Sequence, residues 1–143
     1  MSFKHIGNMG GQNYRAEVDL AAVAVVKDTL LYNVSGYASN ASPASAPKTH
    51  NLIGIVQNSV DNSGGSAGDL SALIEMSPLA LYEADCDDVL DATLIWTNVI
   101  LATAATIDED NAADTDTGII KMREMISASK ALVSLNFASP ADA

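Results

Sequence analysis

Basic residues are scarce in this chain: 7 Lys and Arg stand against 18 Asp and Glu, for a net charge of -11. Nucleic-acid affinity comes mainly from Lys and Arg neutralising phosphates, so a DNA or RNA partner is not expected. An anionic membrane surface is disfavoured for the same reason. Cysteine is nearly absent. The single Cys86 excludes an internal disulfide, and neither it nor the two histidines, His5 and His50, stands in a zinc spacing. Aromatics are 5% of the chain, with one tryptophan, Trp96, which argues against a sugar cleft lined by stacking rings. No apolar run reaches the roughly 18 residues of a membrane-spanning helix. The stretch "MSFKHIGNMGGQNYR" lacks the apolar core of a signal peptide. Charge of either sign is low, 17% against roughly 25% for ordinary domains, which leaves a surface of Ser, Thr, Asn and Ala. Such a surface is poor protection against association, so an assembled state is expected.

What is present points to β-structure. The 143 residues suit one domain with a core that needs no staples. Residues 1–17 read as an extended N-terminal arm, because Gly7, Gly10, Gly11, Asn8 and Asn13 punctuate the stretch and nothing in it is periodic. Residues 18–137 read as a single β-barrel domain, and 138–143 as a tail. Val23, Val25, Val26, Leu30, Leu31, Tyr32 and Val34 are strand-type residues. A Ser, Ala and Pro-rich loop over 35–51 follows, then the short apolar run "LIGIVQNSV". The stretch "TGIIKMREMISASKAL" mixes signals: a strand is expected at Ile119–Ile120 and a helical turn near Glu124–Ser129.

The second half echoes the first. "KDTLLYNV" at 27–34 aligns with "DATLIWTN" at 91–98, and Gly54-Ile55-Val56 aligns with Gly118-Ile119-Ile120 at the same offset of 64. "SALIEM" and "KALVSL" form a third pair. The expected fold is a mainly β, small barrel or sandwich of two pseudo-repeated halves, about 23–77 and 87–137. Tyr32 and Trp96 fall on each other, so both are expected in the core.

The motifs that chemistry would need fail one by one. Gly64-Gly65-Ser66-Ala67-Gly68 spells G-x-S-x-G, but a nucleophile elbow needs a helix after the serine and a histidine later in the chain. "DLSALIEM" is strand-like and both histidines come earlier, so the stretch reads as a hairpin loop. A phosphate loop would need Gly-Lys-Ser/Thr where Asp69 stands. Asp108, Glu109, Asp110, Asp114 and Asp116 do not match the spacing of a calcium loop and read as a solvated acidic segment. Glu83, Asp85, Asp87, Asp88 and Asp91 read the same way. Cys86 and the histidines read as isolated. No catalytic residue, metal ligand or cofactor is expected.

Against this background the pattern resembles the head decoration, or cement, proteins of tailed bacteriophages. The resemblance is carried by "VAVVKDTLLYNVSGYASNA", "HNLIGIVQNSV" and "GSAGDLSALIEMSPLALYEADC", followed by a second round ending in "KALVSLNF". It spans about 18–137. Asp28 and Asp69 match the family's turn aspartates, whereas Lys27 replaces a frequent glycine and Ala92 departs from the pattern. The resemblance implies a homotrimeric β-barrel on the capsid exterior, made in the bacterial cytoplasm and clamping the major capsid protein. An extended arm can pair with a neighbour's strand edge, so Phe3, Ile6, Met9 and Tyr14 are the expected capsid or intersubunit contacts. Deleting residues 1–14 is then expected to abolish capsid binding and leave the barrel folded. The alternatives are a tail or spike module that binds a host glycan, and an enzyme whose site gathers scattered carboxylates.

Overall fold

The computed structural model describes residues 3–8, 15–41, 52–76, 80–103, 105–112 and 119–135. In the first half lie β1 (Phe3–Asn8), β2 (Arg15–Asp19), β3 (Ala24–Val25), β4 (Leu30–Val34), β5 (Tyr37–Asn40), β6 (Leu52–Val56), β7 (Val60–Asp61) and β8 (Ser71–Glu75). In the second lie β9 (Ala80–Cys86), β10 (Asn98–Thr103), β11 (Thr106–Ala112), β12 (Ile120–Ser127) and β13 (Lys130–Leu135). The one helical element among the described residues is a short 3₁₀ turn, Ala92–Leu94.

The second half closes into a five-stranded barrel, β9-β13-β12-β10-β11, in which β11 returns to pair with β9. β9 shows why. Ala80, Tyr82, Ala84 and Cys86 are buried while Leu81, Glu83 and Asp85 between them are half-exposed, the period of two that a strand with one dry face requires. Closure also removes the unpaired edges that an open sheet would offer to other chains.

The first half repeats that order. β2 pairs with β8, β8 with β6, β6 with β4 and β4 with β5, all antiparallel. The fifth strand then meets the first in parallel, through a bridge between Ala38 of β5 and Leu20 just beyond β2. Its counterpart in the second half is the parallel pairing of Cys86 with Ile107. The mainly β fold with two pseudo-repeated halves is therefore present, but each half carries its own five-stranded sheet rather than sharing one barrel over 18–137.

The sequence matches fit this arrangement in part. Val56 and Ile120 are both fully buried on corresponding strands, β6 and β12. Ile74 and Val133 are likewise buried on β8 and β13. The first match is wrong: 91–98 holds the 3₁₀ turn Ala92–Leu94 and only the first residue of β10, whereas the partner of β4 in the shared order is the whole of β10. Tyr32 packs partly against the core, whereas Trp96 is 62% exposed.

Two cores follow from the sheet faces. Leu20, Val25, Leu31, Ala38, Val56, Ala72 and Ile74 pack inside the first half. Leu30 and Ile55, on the opposite face of that sheet, join the barrel's core with Tyr82, Leu101, Ile107, Met122 and Val133. The halves are thus joined by apolar burial, the dominant favourable contribution to folding.

Four further expectations are corrected. Within the expected arm, 1–17, residues 3–8 and 15–17 lie in strands of two sheets, β1 and β2. Residues 37–40, expected in a loop, form β5: Ser35 and Gly36 both have positive φ (51° and 90°) and make the two-residue hairpin turn that suits twisted strands. Residues 124–127 continue β12, so no helical turn forms there; cross-strand pairing with β13 overrides the apolar face that suggested one. Residues 108–112 belong to β11 instead of a loop.

Candidate interaction face and the buried junction

Two of the four expected contact residues, Phe3 and Ile6, are described, and β1 sets them differently. Phe3 is fully buried in this chain's own core, and its N–H donates to the Asp28 carbonyl at 2.8 Å. That burial removes it from the outward role expected of it. Ile6, also on β1, is 53% exposed. Met9 and Tyr14 lie outside the described residues, as do His50, Asp114, Asp116 and the tail over 138–143.

Ser66 sits in an exposed turn between two strands, so strand–turn–helix geometry is absent around it. The turn is held by its neighbours. The buried Asn62 amide donates to the carbonyls of Leu20, Ala21 and Ser66. The Asp69 carboxylate accepts from the Ser66 N–H at 2.8 Å. Asp61 accepts from the Ser63 hydroxyl and N–H, and those bonds hold its carboxyl below the usual range.

Glu83 and Asp85 are not a solvated run either. Both lie on β9 beside Lys130 of β13, with Nζ 3.0 Å from Glu83 and 3.6 Å from Asp85. The hydrogen bond to Glu83, then the charge of Asp85, raises the Lys130 pKa. Among the described residues no group of three or more His, Cys, Asp or Glu is gathered as a metal ion would require. No described helix is long and apolar enough to cross a membrane.

Sequence reasoning missed the polar constellation at the junction of the two halves. Glu75 ends β8 and is completely buried. Its Oε2 is 3.6 Å from the Nε of Arg15, its register partner on β2. Its Oε1 is 4.0 Å from the Nε2 of His5 on β1. The His5 ring lies 5.6 Å from that of Tyr82, its register partner on β9. Neither Glu75 oxygen nor the Tyr82 hydroxyl has a hydrogen-bond partner among the described residues. Burial, and then the nearby Glu75 charge, push the Tyr82 pKa well up. Side chains from β1, β2, β8 and β9 meet here, so the cluster fixes how β1 straps the first half to the barrel. His5 is therefore not an isolated residue. The one sequence signal was a glutamate inside the apolar run "SALIEM".

The outer surface carries a second feature. Trp96 has an exposed side chain although its backbone N–H donates to the Met122 carbonyl of β12 at 2.8 Å. The Arg123 guanidinium lies over its ring, 5.9 Å from the centroid. Met125 and Ile126 continue along β12 and are also exposed. Val89, 72% exposed, precedes Leu90, whose N–H is bonded to Ala128 in the β12–β13 turn. Four large apolar side chains near β12 and the β12–β13 turn are thus exposed. Exposed apolar side chains that adjoin mark contact surfaces more often than single ones do.

No protein-family model matches this chain, and a search of curated proteins finds no match to it.

Proposed function

We propose that this chain is a structural protein of a tailed-phage head, a decoration subunit that assembles as a trimer on the capsid exterior and clamps neighbouring major capsid subunits. The observation that carries this reading is the exposed Trp96 beneath the Arg123 guanidinium of β12, with Val89, Met125 and Ile126 among the other exposed large apolar side chains. Cementing a lattice calls for contact area with a few large anchors, which this face supplies. A trimer gains avidity by holding several subunits at once, without strong single contacts. The strong negative charge suits the outer wall of a capsid, away from packaged DNA. The turn aspartates support the resemblance: Asp28, at φ 68°, precedes β4 and Asp69 precedes β8. The reading calls for no catalytic residue and no cofactor.

Trp96 also favours a second reading, a phage tail or adhesin-type glycan-binding module, since an exposed indole can stack on a sugar. The further exposed apolar side chains Val89, Met125 and Ile126 favour protein over sugar as the partner.

The test has two steps. Light scattering after size exclusion gives the solution mass, and three chains are expected. The protein is then added to undecorated heads of tailed phages, and occupancy is read by electron microscopy. Saturable binding to the outer surface with raised thermal stability of the heads is the expected result. A chain that ignores every head offered, yet gives a reproducible hit on a glycan array, would overturn the proposal in favour of the second reading.

A further inference from the structure

Trp96 adopts φ 73°, in the left-handed region. That is a strained choice for a bulky residue and persists only where the surroundings over-determine it. They do so here. The Asp91 carboxylate accepts from the N–H and hydroxyl of Thr93 and starts the 3₁₀ turn. Thr97 closes it, with its N–H and hydroxyl both donating to the Leu94 carbonyl. The bond from Trp96 to Met122 then ties the turn to β12. All this holds an indole out in solvent, so burial within this chain does not offset the strain.

Arg123 is equally prepared. Its Nε donates to the hydroxyl of the buried Ser134 at 2.8 Å, which orients the guanidinium over the indole. In a chain with 18 acidic residues, Arg123 has no carboxylate partner among the described residues. Lys130 on the next strand makes the contrast, since Glu83 and Asp85 both hold it. A Trp beside a fork-shaped cation with no carboxylate partner among the described residues has the composition of a protein–protein hot spot.

We infer that this face is a contact between copies of this chain, in which the neighbouring copy buries Trp96 and presents a carboxylate to Arg123. Charge complementarity selects the occupant: a subunit with 18 acidic residues against 7 basic ones has carboxylates to offer Arg123. The inference rests on the trimer reading above and locates its interface. In a trimer the contact is heterologous, so the carboxylate comes from a different patch of the neighbour.

Trp96 is the chain's only tryptophan, so intrinsic fluorescence reports this face directly. The solution mass of the wild type, Trp96→Gly, Arg123→Lys and Arg123→Glu, and acrylamide quenching of the three that keep the indole, are measured over a dilution series at low and high salt. Trp96→Gly relieves the backbone strain, and circular dichroism is expected to show it folded. The expected result is a wild-type oligomer with a shielded indole whose emission moves to the red on dilution. Arg123→Glu and Trp96→Gly should each weaken assembly at least ~10-fold, with Arg123→Lys between them and the wild type. A stable trimer with a fully quenchable Trp96, or one indifferent to Arg123→Glu, overturns this interface and leaves the trimer reading standing. A chain monomeric at every concentration overturns both the interface and free trimerisation. Shielding of Trp96 only by added heads, or only by a glycan, overturns the self-contact and reassigns the face.

Discussion

Arg15 and Glu75 face each other across β2 and β8, with Nε 3.6 Å from Oε2, and the pair carries the charge of a completely buried carboxylate. The distance is that of an ion pair rather than a hydrogen bond, and neither Glu75 oxygen has a described hydrogen-bond partner. A buried charge is costly without its counter-ion, so the partners are not equivalent. Arg15→Ala leaves the carboxylate without its nearest cation and should destabilise the fold by about 2 kcal/mol. Glu75→Gln keeps the shape, removes the charge and should cost less. Joining Glu75→Gln to Arg15→Ala should restore part of the loss. Urea unfolding of the four proteins at pH 7 closes the cycle, and simple additivity would show that the pair is not coupled.

Tyr82 makes stability fall at alkaline pH. Its pKa is raised in the folded state, chiefly by burial and next by Glu75, while the unfolded chain releases the proton near the ordinary value of about 10. The folded form therefore holds the proton more tightly. This contribution is fully present below about pH 10 and is lost as pH rises beyond it. Tyr82→Phe deletes the titrating group and a buried hydroxyl with no described partner. The variant should gain stability relative to wild type as pH moves from 9 to 11, measured by urea unfolding. An unchanged difference across that range would show that the hydroxyl reaches water.

Gly54 is required by its neighbour. It has φ 152°, and a Cβ there would lie 2.2 Å from the Glu75 carbonyl oxygen, a backbone atom that cannot swing away. Gly54→Ala should force β6 from β8 and cost about 3 kcal/mol or more. Gly64, in the exposed loop, has open space where a methyl group would stand, and Gly64→Ala should be neutral. Thermal unfolding followed by circular dichroism compares the two.

Phe3 ties the N-terminal strand into the core. Phe3→Ala should cost about 3 kcal/mol, because it removes a fully buried ring shared by both halves. Deleting residues 1–14 also uncovers the edge of β9 that β1 pairs with. The truncated chain should therefore be less stable and more prone to associate. Lost capsid binding by that deletion is then no proof of an arm, and Ile6→Ser, at an exposed position of β1, is the cleaner probe of contact there.

The strands legible in the sequence are those whose pairing and packing agree with local pattern. "LIGIV" and "KALVSL" are apolar, β-branched and bounded by polar residues, and both are strands. The duplication is legible where buried residues recur at matching positions, as at Val56 and Ile120. It misleads at Trp96, where likeness to Tyr32 comes from residue type alone. β5 is hidden because its Ser-Gly turn lies within a longer stretch of loop-like composition. Residues 124–127 suggest a helical turn because apolar spacing cannot see the β13 strand beside them. The junction is invisible for the same reason: His5, Arg15, Glu75 and Tyr82 are spread along the sequence, and only register brings them together.

By itself the sequence determined the class of the molecule: β-rich, acidic, built from two related halves, without a readable catalytic motif. Those properties are sums over residues or local periodicities, and each can be evaluated without knowing what touches what. Tertiary structure alone decided that each half has its own sheet, that Phe3 turns inward, that Glu75 is buried beside Arg15, and that Trp96 turns outward over β12. These depend on non-local pairing, in which a one-residue change of register exchanges the buried and exposed faces of a strand.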